Sequence, residues 1–162
     1  MSKRFSIFTA LFIFALALSA AAHPLSNFSV NHYSRIEVER SRVKVRAVLD
    51  MAEIPTFQAT QEIDANKDGA VSQSELDDYA EKITPDFISK LLLSVDGNRI
   101  ELRPTAKNIS QPVGEGNLPT LRVEWDLIGD LPSSDAAIRK LQFENKNGTE
   151  RIGWNEIVVG RV

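Results

Sequence analysis

The sequence predicts an α+β protein, a mainly antiparallel β-sandwich that carries an inserted helix-loop-helix unit. Three observations lead there. Runs in which apolar and polar residues alternate, the pattern of a strand with one buried face, occur before residue 50 and again after residue 91. Between them, at about residues 54–90, the apolar spacing lengthens to that of a helix. Many short strands separated by turn residues, with one helical stretch among them, favour packed antiparallel sheets over a parallel sheet wrapped in helices.

The elements follow in order. Phe28 to Val38 is rich in β-branched and aromatic residues, and Val43, Val45, Ala47 and Leu49 share one face of the next run. The charged stretch Glu39-Arg40-Ser41-Arg42 between them reads as a hairpin turn. Ile54-Pro55 opens a short helix towards Ile63, because proline suits a first helical turn, where its missing N–H has no partner to lose. A second helix sets Leu76, Tyr79, Ala80 and Ile83 on one stripe, and Thr84-Pro85-Asp86 reads as a cap and restart leading through Phe87.

Strand signals then return. Leu91–Val95 and Ile100–Leu102 flank Asp96-Gly97-Asn98, a hairpin of the Asp-Gly kind. Pro112 to Pro119 is loop, and Leu121, Val123, Trp125 and Leu127 form the dry face of a strand. Leu141–Phe143 and Ile152 to Val159 are two more strands, joined by a turn at Asn145-Lys146-Asn147-Gly148, which brings the expectation to six or seven strands.

The N-terminus is a different kind of segment. Lys3 and Arg4 precede an apolar run from Ser6 to Ser19, which ends in Ala20-Ala21-Ala22. That order marks residues 1–22 as a secretory signal peptide with cleavage before His23; the run is short for the ~20 residues of a spanning helix. The expected mature chain, residues 23–162, is a single extracytoplasmic β-rich domain, periplasmic or secreted. Its removal of Lys3 and Arg4 moves the formal charge from −3 to −5, a poor balance for nucleic acid. The chain has no cysteine, so disulfides, zinc-thiolate sites and thiol catalysis are excluded.

The stretch from Asp64 to Glu75 carries the chemistry. Oxygen-bearing side chains stand at Asp64, Asn66, Asp68, Ser72 and Glu75, with Gly69 and Ala70 between them. A calcium ion takes about six to eight hard oxygens, and a 12-residue EF-hand loop supplies them from its positions 1, 3, 5, 7, 9 and 12. Counted from Asp64, those positions are Asp64, Asn66, Asp68, Ala70 through its carbonyl, Ser72 directly or through water, and Glu75. Gly69 falls where the loop turns sharply, and Val71 is the apolar residue that pins it to the protein beneath. The loop therefore predicts bound Ca2+. Three formally charged ligands and no second loop to pair with place the expected affinity near the 10⁻⁴ to 10⁻³ M of extracellular modules, a structural clamp rather than a sensor.

Other candidates are weaker. His23 and His32 are the two histidines, and a new N-terminus at His23 could offer nitrogen donors to nickel, cobalt or copper; a frayed terminus and a strand histidine are the ordinary alternative. Asp50 and Glu53 serve as strand-end and helix-start groups more readily than as an acid-base pair. No nucleophile-base spacing and no phosphate-binding glycine loop stands out, so the expectation is a protein without enzymatic activity.

Five stretches also carry a family resemblance: "AHPLSNFSVNHYSRIEV", "VLDMAEIPTFQ", "IDANKDGAVSQSEL", "LPTLRVEWDL" and "RIGWNEIVV". From about His23 onwards the chain resembles the N-terminal extracytoplasmic domain of bacterial membrane proteins described as high-affinity nickel or cobalt transporter-like. In that family the domain precedes a multi-helix membrane part, whereas no spanning helix follows within these 162 residues. The resemblance thus implies a stand-alone version or a piece of a larger protein. It implies an exported domain that assists metal delivery or a membrane transporter partner, and it carries no transport activity.

Overall fold

The computed structural model describes residues 25–134, 136 and 138–161. The expected signal peptide, residues 1–22, and His23 lie outside the described residues. Among the described residues the chain is α+β, with two α-helices and eight strands in two sheets. No helix among them is long and apolar enough to cross a membrane.

The chain begins with a short 3-10 turn, Leu25–Phe28, and then forms β1 (Val30–Val38) and β2 (Arg42–Met51) as an antiparallel hairpin. Two helices follow, α1 (Glu53–Ile63) and α2 (Gln73–Ser89). The remaining strands are β3 (Leu91–Val95), β4 (Asn98–Ile100), β5 (Arg103–Ser110), β6 (Leu121–Asp130), β7 (Leu141–Asn145) and β8 (Asn155–Arg161). The larger sheet has the order β5-β6-β2-β1-β8 and the smaller the order β4-β3-β7.

Alternation in β2 and β6 builds the centre of the core. Val45 lies opposite Leu127, Ala47 opposite Trp125 and Leu49 opposite Val123. All six are buried, and the small Ala47 leaves space beside the indole. Ile36 from β1, Leu93 and Val95 from β3, and Leu76 and Phe87 from α2 belong to the same apolar cluster, so both sheets and both helices share one core. On the opposite face of the larger sheet, Arg122 bonds to Asp50 at 2.7 Å and to Glu124 at 2.9 Å. That polar lattice faces water, as the alternation in β6 requires.

The β3–β4 hairpin turns on Asp96 and Gly97, whose φ angles of 52° and 82° are the left-handed pair that a two-residue turn of this hand needs. Asp96 is held there by Arg139 Nε at 2.9 Å and the Lys140 N–H at 2.8 Å.

The structure corrects the sequence reading in three places. Thr84-Pro85-Asp86 neither caps nor restarts a helix: α2 runs continuously through Pro85. Proline removes the N–H that would reach the Glu81 carbonyl, and the surrounding contacts of Thr84 and Phe87 hold the helix together across that gap. Second, residues 103–110 form a strand that the apolar pattern did not announce. It is an edge strand with Pro104 near its start and Ile109 as its one buried apolar residue, so it has no alternation to read. Third, the strands on either side of residues 145–148 are not hairpin partners. β7 pairs with β3 in the smaller sheet, whereas β8 runs parallel to β1 at the edge of the larger one. The connection between them is anchored by Asn147 Nδ2 on the Phe87 carbonyl at 3.0 Å and by Val30 N–H on the Ile152 carbonyl at 2.8 Å.

Candidate metal centre

The Asp64–Glu75 stretch joins the two helices. Ile63 closes α1 as a fully buried anchor, and Leu76 on α2 does the same on the other side, so both ends of the loop are held by the core. Val71 packs partly buried against that core in between. The loop residues that carry oxygens stand at the surface or half-exposed above it.

Short-range hydrogen bonds shape the loop. Asp64 accepts from the Asp68 N–H at 3.2 Å and, through its other oxygen, from the Gly69 N–H at 3.0 Å. Asn66 Oδ1 accepts from the Asp68 N–H at 2.8 Å, and Asp68 Oδ1 from the Ala70 N–H at 2.9 Å. Each acceptor lies two to five residues before its donor, which winds the chain into a tight loop. Gly69 sits at φ 84° and Lys67 at φ 59°, the left-handed geometry that the winding demands.

Glu75 closes the loop from the other end. Ser72 is the N-cap of α2, and a reciprocal capping box joins it to Glu75: Ser72 Oγ accepts from the Glu75 N–H at 3.3 Å, while Glu75 Oε2 accepts from the Ser72 N–H at 2.9 Å. The second oxygen, Oε1, reaches across to the N–H groups of Ala65 at 3.1 Å and Asn66 at 3.4 Å. Bonds from Ser72 above all, and from Asn66 and Ala65, hold its carboxyl below the usual carboxylate range.

Hydrogen bonding thus joins Asp64, Asn66 and Asp68 to one another's backbone, and Glu75 to the loop's two ends. The donor set is all oxygen, which fits a hard cation and not a soft one. Each carboxylate oxygen of Asp64 and Asp68 accepts one hydrogen bond and keeps a lone pair, whereas each Glu75 oxygen already accepts two. With Glu75 turned onto backbone N–H groups, no cluster of three or more His, Cys, Asp or Glu side chains is disposed to hold a metal ion among the described residues.

The remaining candidates fall elsewhere. His32 is buried on β1, at 4% exposure, and does not line the loop; neither of its ring nitrogens has a hydrogen-bond partner. Asp50 is bound through both oxygens to Arg122 at 2.9 and 2.7 Å, and Glu53 accepts from the Glu115 N–H at 2.7 Å, so both carry structural bonds. Sequence reasoning did not find the cavity that His32 adjoins. Its walls come from several segments distant in the chain, and no linear spacing marks them.

Comparison with known proteins gives no match to a family model, a curated protein or a solved structure.

Proposed function

We propose that this chain is an exported calcium-binding domain without enzymatic activity, in which an EF-hand loop clamps a helical pair to a β-sandwich. The observation that carries the reading is the run of side-chain-to-backbone bonds from Asp64 through Asn66 and Asp68 to Ala70, hinged at Gly69. Its acceptors are the side chains that stand at loop positions 1, 3 and 5 of the calcium pattern. Asp64, Asn66, Asp68, the Ala70 carbonyl, Ser72 and Glu75 are the residues that would hold the ion. Calcium there would offset two of the three negative charges of Asp64, Asp68 and Glu75 and tie the start of α2 to the end of α1.

Calorimetric titration of calcium into the chelator-treated protein tests this, beside the variant Glu75→Gln. Binding of one ion, lost or much weakened in the variant, is the expected result. Calcium that produces neither heat nor a rise in melting temperature would end the proposal. At a calcium concentration a hundred times the dissociation constant, stabilisation of about 2.7 kcal/mol is expected.

The resemblance to nickel or cobalt transporter-like membrane proteins supports an exported location and a membrane transporter as partner. It also supports a second reading, capture of nickel, cobalt or copper through His23 and His32, which draws on the unpartnered ring nitrogens of His32. Titration of those three metals against a His23→Ala, His32→Ala variant decides that reading, since unchanged binding would end it.

A further inference from the structure

A cavity of about 290 Å³ opens between the two helices, the inner face of β1 and β2, and the turn at residues 147–150. None of the six loop donors lines it. Leu49, Met51, Ile83 and Phe87 make an apolar wall, and His32 and Glu150 bring the polar chemistry. We propose that this cavity binds a small organic amine, an ammonium head on a short apolar chain, with the head held between a ring nitrogen of His32 and the Glu150 carboxylate.

The argument starts from His32. Buried polar groups are nearly always hydrogen-bonded, because burial strips their water and returns nothing unless a partner replaces it. His32 is 4% exposed, and both of its ring nitrogens lack a partner. A neutral imidazole offers one nitrogen as an acceptor, and a protonated amine is the donor that matches it.

Charge narrows the class further. Three carboxylates, Glu62, Asp86 and Glu150, line the cavity against one guanidinium, Arg151, which donates to the neutral Gln58 amide; Lys82 and Lys90, the partners of Glu62 and Asp86, are not part of the lining. Glu150 forms no ion pair among the described residues; its one side-chain hydrogen bond among them is from the Thr149 hydroxyl at 3.4 Å. A cationic head is therefore favoured over a carboxylate or a neutral alcohol, while the apolar wall takes the chain.

The turn that carries Glu150 is also the cover of the site. A Cβ built on Gly148 would lie 2.4 Å from His32 Nε2, so the glycine rests directly against the ring. One backbone bond, from the Arg151 N–H to the Gly148 carbonyl at 2.9 Å, closes this turn upon itself. The ammonium head takes up the place where the turn now presses on the imidazole, and entry displaces the turn.

Titration with hexylamine, hexan-1-ol and hexanoate tests the proposal, read by calorimetry and by the ring nitrogen resonances of His32 in the chelator-treated protein. Hexylamine is expected to bind and shift those resonances, hexan-1-ol to bind at least about tenfold more weakly, and hexanoate not at all. The exposed variant Glu150→Gln keeps the fold and is expected to lose at least about tenfold in hexylamine affinity. Equal binding of all three probes, or unchanged amine binding in Glu150→Gln, would reduce the site to an unspecific apolar hollow. No binding and unmoved His32 resonances would overturn the proposal outright. Glu75→Gln should leave amine binding intact, which separates this site from the calcium loop.

Discussion

Trp125 and Thr84 stand 41 residues apart, yet the indole Nε1 donates to the threonine hydroxyl at 2.8 Å inside the core. The hydroxyl passes the bond on to the Ala80 carbonyl at 2.6 Å, and the indole ring stacks on Phe87 with centroids 4.0 Å apart. One side chain of β6 thereby holds two turns of α2, at Thr84 and at Phe87. With the Lys107–Glu81 ion pair from β5, this contact fixes the second helix to the larger sheet.

Replacing Thr84 by valine keeps the shape and deletes the acceptor, leaving a buried indole N–H unpaired. The expected loss is about 1–3 kcal/mol of stability, measured by urea unfolding. Thr84→Ser, which restores the hydroxyl, should recover part of that loss. If serine and valine cost the same, the hydrogen bond contributes nothing.

Pro85 lies exposed inside α2, where it withholds one helical hydrogen bond and packs against little. Pro85→Ala should therefore stabilise the protein, by about 1–3 kcal/mol on the penalty of proline in a helix interior. Urea midpoints for the two forms decide it. A destabilised alanine variant would mean that the proline is needed to shape the helix end.

Gly69 and Gly148 share a left-handed backbone, with φ 84° and φ 65°, but differ in their surroundings. A Cβ on Gly69 meets no atom within 4 Å, so Gly69→Ala should cost only the conformational term, about 1–2 kcal/mol. Gly148→Ala adds a collision with the His32 ring and should cost distinctly more. Thermal unfolding of both variants in chelator would show it, and equal losses would contradict the close packing of the turn on His32.

Burial holds the His32 imidazole below its usual 6.5, against an upward pull from the Glu150 carboxylate. The unfolded chain takes up a proton more readily than the folded one, so stability is greatest above about pH 6.5. It falls as the pH drops from there towards the lowered folded value, and flattens below it. Glu62, Asp86, Glu150, Arg151 and Tyr79 line the same cavity and face the ring. His32→Phe should thus flatten the urea stability profile in that window. A profile with unchanged slope would assign the pH dependence elsewhere.

Much of this molecule was legible along the chain. Val43, Val45, Ala47 and Leu49 announced a half-buried strand, Asp96-Gly97 announced a hairpin, and the stripe from Leu76 to Ile83 announced a helix; all depend on neighbours within a few residues. The spacing of Asp64, Asn66 and Asp68 around Gly69 is local in the same way, because each bond that winds the loop spans at most five residues. Periodicity and short-range hydrogen bonding leave their mark in sequence directly.

What only the tertiary structure decided depends on residues far apart. Pro85 reads locally as a break, yet α2 passes through it, since packing on Trp125 outweighs one missing helical bond. Strand β5 carries no periodic signal because it lies at a sheet edge, and β8 joins β1 in parallel across more than a hundred residues of chain, a pairing that no local turn encodes. The direction in which Glu75 turns, and the burial of His32 beneath Gly148, were likewise set by contacts between segments. Sequence alone determined most of the elements and the local winding of the Asp64–Glu75 loop, because backbone preference and spacing are local; the tertiary fold decided which of them meet, because burial is shared by the whole chain.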